Sequence, residues 1–110
     1  MNVAVTLVGD QVGRGIGRAD TVAIATVENG EITGWTAHEV GWDAAHDAEG
    51  EGAHHARIVR FAREHDVRVF IAGGAGAGMR TTMEKLGVAV VTTSGDARAA
   101  VLAAAASVAG

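Results

Sequence analysis

The dipeptide Asn29-Gly30 stands between two extended, β-branched runs, Thr21 to Val27 and Ile32 to about Val40. Asn-Gly accepts the positive φ angles that a two-residue hairpin turn needs, so it ties those runs together as neighbouring antiparallel strands. Ahead of them, Val3, Val5 and Leu7 alternate with Ala4, Thr6 and Val8, a first strand that is mostly buried. The glycine-rich loop Gly13-Arg14-Gly15-Ile16-Gly17-Arg18 follows it. Links of hairpin length let these three strands form an antiparallel meander.

After the meander the periodicity changes. Gly41 to Gly52 is polar and aperiodic, which predicts a loop. From Ala53 to His65 the spacing predicts a helix, with Ile58, Val59, Phe61 and Ala62 on one face and Arg57, Arg60, Arg63 and Glu64 opposite. Val67 to Ala72 is a short apolar run bounded by glycine, a buried strand. Gly73-Gly74-Ala75-Gly76-Ala77-Gly78 then leads into a short helix, Met79 to Leu86, with Gly87 as its C-cap. Val88 to Val91 is the fifth strand, and Ser94 or Asp96 caps an alanine-rich final helix. The order β-β-β-α-β-α-β-α predicts an α/β fold: one mixed five-stranded sheet with helices packed on it. Its last two strands are parallel and joined by a right-handed crossover. The 110 residues suit a single domain over 1–110.

Composition narrows the function. Aromatics are scarce and apolar residues make up 48%, so the core is built from Val, Ile, Leu and Ala. A net charge of −4 and no basic run argue against nucleic-acid binding. The chain has no cysteine, which excludes disulfides, thiolate zinc sites and cysteine-ligated clusters. No stretch has the composition of a signal peptide or a membrane span of ~20 residues. A cytoplasmic protein is the expectation. No nucleophile elbow or Ser–His–Asp arrangement is visible, and Asp10 has no partner carboxylate on a second strand, so no enzyme activity is expected.

Three constellations carry possible chemistry. His38, His46, His54 and His55, four of the five histidines, fall in a stretch without lysine or arginine that also holds Glu39, Asp43, Asp47, Glu49 and Glu51. Imidazole and carboxylate are ligands for borderline and hard metal ions. The helical period turns His54 and His55 to the apolar half of their helix, His55 nearer its centre, but adjacent residues diverge by about 100°. The spacing matches no zinc signature, and a solvated acidic loop explains the stretch as well as a ligand site does. Second, Gly73 to Gly78 precedes a helix N-terminus, an arrangement that gathers backbone N–H groups around an anion, with Arg80 and Thr81 as further donors. A tight strand-to-helix turn is the plainer reading. Third, the Gly13–Arg18 loop reads as an anion-binding flap or as a flexible hairpin with solvated arginines.

The chain resembles the dinitrogenase iron-molybdenum cofactor accessory family, the NifX-like proteins and the C-terminal domain of NifB. The likeness rests on the first strand, the Gly17-Arg18-Ala19 turn, Val27-Glu28-Asn29-Gly30, Ile71-Ala72-Gly73-Gly74-Ala75-Gly76, Leu86-Gly87-Val88 and the closing alanine-rich helix. It implies a ribonuclease-H-like fold and non-catalytic binding or carriage of an anionic molybdenum- or iron-containing sulfide cluster by an accessory protein. A client metalloenzyme or cluster-assembly protein is the implied partner. Many members carry His-Phe where this chain has Gly15-Ile16. The expected cluster site comprises Arg18, Trp42, His54, His55, Gly74, Gly76 and Gly78, with an imidazole on metal, glycine N–H groups and Arg18 on the anion, and Trp42 shielding it from water. The alternative is a single divalent ion (Cu, Zn or Ni) held by Asp43, His46, His54 and His55.

Overall fold

The computed structural model describes residues 1–48 and 50–109, without the side chains of residues 46–48, 51 and 109. Its strands are β1 (Asn2–Val8), β2 (Gln11–Val12), β3 (Thr21–Glu28), β4 (Glu31–Glu39), β5 (Val67–Ala72) and β6 (Ala89–Thr92). Its helices are α1 (Trp42–Ala48), α2 (Glu51–Glu64), α3 (Ala77–Lys85) and α4 (Ala97–Ala109), and a 3₁₀ turn spans Ile16–Arg18. The sheet order is β4-β3-β1-β5-β6, with β2 also paired to β1. β1 is antiparallel to β3 and parallel to β5, so it lies where the meander meets the parallel half.

The hairpin forms as expected. Glu28 pairs with Glu31, and Asn29 and Gly30 take φ of 53° and 78°, the two positive angles of a type I′ turn. Two expectations need correction. The sheet has six strands rather than five, because Gln11–Val12 folds back on Leu7 and Val8 before the glycine loop. The segment 41–52 is not a plain loop, because Trp42–Ala48 is helical. Alanine at 44, 45 and 48 and an acid at 43 favour a short helix. At seven residues it is too short for periodicity to reveal. The ends of α3 and α4 follow local chemistry. The Val88 N–H bonds the Met83 carbonyl at 2.9 Å and the Gly87 N–H that of Glu84 at 3.0 Å, the paired closure of a Schellman end. Asp96 Oδ2 accepts the Ala99 N–H at 2.9 Å, so Asp96 rather than Ser94 is the cap.

Both faces of the sheet are covered. On one, Ala4, Val22, Ile24 and Phe70 pack against Trp42 of α1, Ile58 and Ala62 of α2 and Met79 and Met83 of α3. On the other, Val3, Val5, Ala23, Val69 and Ile71 meet Ala97, Val101, Ala104 and Ala105 of α4. Those α4 positions follow the i, i+4, i+7, i+8 stripe of a one-sided helix, and their small side chains let it lie close to the strands. Among the described residues no helix is long and apolar enough to cross a membrane.

Candidate functional site

The two glycine-rich segments meet. The Gly73 N–H donates to the Arg14 carbonyl at 3.2 Å, and the Ile16 N–H donates to the Gly74 carbonyl at 3.1 Å. The Arg14 carbonyl also accepts the hydroxyl of fully buried Thr6 at 2.9 Å. A Cβ on Gly73 would collide with the Gly13 carbonyl oxygen, so glycine there is a demand of backbone approach. Gly74 and Gly76 differ: an added Cβ at either meets nothing within 4 Å. Neither contact nor a left-handed backbone requires glycine at these two positions, and a side chain would project into open space.

That space is part of a cleft of about 520 Å³ lined by residues 15–18, His54, His55 and residues 74–79. The starts of α2 and α3 both border it. Each has a glycine at the N-cap, Gly50 and Gly76, and neither cap makes a side-chain hydrogen bond. The first N–H groups of a helix have no acceptor within the helix, and its start carries partial positive charge. Among the described lining residues none is acidic, and Arg18, His54 and His55 are the ionisable ones. In a chain of net charge −4 this is a local reversal of sign.

The predicted residues separate into distinct roles. His54, only 2% exposed, brings Nε2 to 2.9 Å from the Gly17 carbonyl. A carbonyl only accepts, so Nε2 carries the proton in that contact; Nδ1 is itself buried. His54 thus ties α2 to the 3₁₀ turn, and a metal ligand there would need a rearrangement. The order of the two histidines is corrected: His54 shares the i, i+4, i+8 row of buried Ile58 and Ala62, whereas His55 is half-buried beside Gly78. The Gly13–Arg18 segment is no loose flap, since contacts to Thr6, Gly73, Gly74 and His54 hold it.

Trp42 is also corrected. It is 2% exposed, packed edge-on against Phe61 at 5.2 Å and against Phe70, and it does not line the cleft. Burial of its large ring at the start of α1 outweighs any place at the cleft mouth. Asp43 turns toward arginines: its carboxylate lies 3.5 Å from Arg14 and 3.3 Å from Arg18. Arg80 donates to the Val90 carbonyl at 3.2 Å, joining α3 to β6. The His46 side chain lies outside the described residues. Among the described residues no group of three or more His, Asp or Glu side chains is gathered to hold a metal ion. The four-ligand divalent site is therefore not assembled by Asp43, His54 and His55. Thr6 was missed in the sequence because a single hydroxyl on an apolar strand carries no signal until the loop lies over it.

A three-layer α/β protein with a glycine-lined cleft at two helix starts is the class these features define. The model of the family described as dinitrogenase iron-molybdenum cofactor matches residues 1–107, and the chain belongs to that family. No curated protein matches it significantly. Solved structures share the fold. A crystal structure of PH0822 is 22% identical, with a TM-score of 0.69 over 87% of this chain and 80% of the other. The crystal structure of MJ0327 from Methanocaldococcus jannaschii, provisionally described as a dinitrogenase, is 12% identical, with a TM-score of 0.65 over 93% and 84%. A solution structure of TM1290 from Thermotoga, provisionally described as a NifB protein, is 24% identical, with a TM-score of 0.65 over 96% and 87%.

Proposed function

We propose that this chain, read as one domain, is a cytoplasmic accessory protein that binds and carries an anionic metal–sulfur cluster of the iron-molybdenum cofactor kind without catalysing a reaction. The observation that carries the reading is the cleft at the starts of α2 and α3, which has no acidic side chain among its described lining residues. Family membership supports the cargo class. The strand order β4-β3-β1-β5-β6, with one helix on one face of the sheet and the others opposite, supports a ribonuclease-H-like reading of the fold.

The cargo is recognised chiefly by charge and N–H donors. Backbone N–H groups at the α3 start, beside Gly74, Gly76 and Gly78, face an anion without a side chain between them. Arg18, whose guanidinium also pairs with Asp43, supplies positive charge, and His55 is the imidazole placed to meet the cargo. His54 holds the 3₁₀ turn in place. With no thiolate available, a cluster that brings its own sulfide ligands fits the site and transfers readily to a client metalloenzyme or assembly protein. Anaerobic incubation with tetrathiomolybdate, or with isolated iron-molybdenum cofactor, followed by gel filtration tests the reading. The visible absorption should travel with the protein, and less of it with the Arg18→Ala variant. Free passage of both chromophores through the column rejects the proposal.

A further inference from the structure

We propose that His38 and His65 form a second site, for a divalent transition-metal cation, at the end of α2 remote from the cleft. The two rings come from different elements, β4 and the C-cap of α2, yet their centroids lie 4.7 Å apart at an interplanar angle of 54°. Both side chains are half-buried, and neither lines the cleft. Phe61 supports the pair, with its ring centroid 4.5 Å from that of His65 and 5.6 Å from that of His38. A metal ion bound at about 2.0–2.1 Å from an imidazole nitrogen sits roughly 3.2 Å from the ring centroid. Two centroids 4.7 Å apart then subtend about 95° at the metal. That angle lies between the square-planar and tetrahedral values, so the spacing suits Cu²⁺, Ni²⁺ or Zn²⁺.

The helix terminus favours a cation here, opposed by Arg57 and Arg60, which line a cavity with Phe61 and Glu64. The C-terminus of a helix carries partial negative charge, and His65 caps the 14-residue α2. Exposed Glu39 and Glu64 adjoin the two histidines in the chain. Arg63, in the same last turn, borders a different cavity with Lys85. No third His, Asp or Glu joins the pair among the described residues, so solvent completes the coordination sphere and the ion exchanges. This site does not depend on the cluster-carrying reading.

Titration of the untagged full-length protein with Cu²⁺, followed by electron paramagnetic resonance, tests it. One equivalent should bind with hyperfine coupling to two imidazole nitrogens. His38→Gln and His65→Gln should each weaken binding at least tenfold and reduce the coupling to one nitrogen. His55→Ala and Arg18→Ala should leave both unchanged. Circular dichroism checks that the Gln variants fold; should either fail, the Asn variant at the same position is measured in its place. One-nitrogen coupling in the native protein, or affinity unaltered by both Gln variants, overturns the site and leaves the pair as an aromatic stack on Phe61.

Discussion

The two ends of α2 hold the same kind of side chain in opposite surroundings. At its start, His54 and His55 stand beside glycine turns, a second helix start and Arg18, where negative charge is stabilised. At its finish, His65 stands against His38 and Phe61, where the helix terminus favours positive charge. One histidine is a buried tie, its neighbour lines the glycine-rich cleft, and the distant pair packs ring against ring beside Phe61. An imidazole is donor, acceptor, ligand or ring surface according to what the fold sets beside it.

The strongest way to break this contrast is to remove one imidazole at each end. His54→Ala deletes a buried ring and the contact to the Gly17 carbonyl, and should cost about 2–3 kcal/mol in urea unfolding. His65→Ala, at a half-exposed cap, should cost less than about 1 kcal/mol. Equal losses would show that the ends are not differently built. A smaller effect is expected from Arg18→Ala, which should weaken tetrathiomolybdate binding about tenfold by removing a charge-assisted contact. Its destabilisation should be slight, because the side chain is substantially exposed.

Asp43 sharpens the comparison in the other direction. Its carboxylate shares Arg14 and Arg18, so it competes with any anion entering the cleft. Asp43→Asn should tighten tetrathiomolybdate binding about two- to fivefold at low salt, with the gain shrinking as ionic strength rises. Weaker binding in this variant would make Asp43 a scaffold for the arginines rather than their rival. The smallest effect is expected at the far end, where Glu64→Gln should lower Cu²⁺ affinity about twofold by titration and leave anion uptake alone.

Much of the fold was legible in the chain. The Asn29-Gly30 turn, the buried run Val67–Ala72, the Gly87 closure and the Asp96 cap each depend on a few consecutive residues. Interactions of that range follow from side-chain chemistry at fixed spacing. The strand β2 and helix α1 were not legible, because two and seven residues are too few to display a period. Of the expected site, Arg18, His54, His55 and the glycines at 74, 76 and 78 do line one cleft. Trp42 and Asp43 do not, since one is drawn into the core by its area and the other to two guanidinium groups by its charge.

By itself, then, the sequence determined the order of the longer elements, the hairpin, the glycine-rich turns and the absence of any thiolate. Only the tertiary structure decided what each histidine does. It separated His54 from His55 by burial and put His38 beside His65 across 27 positions of chain. The physical reason is range. Backbone propensity and capping act over about one helical turn, whereas a side chain's burial and electrostatic surroundings come from elements that meet only when the sheet and its helices pack.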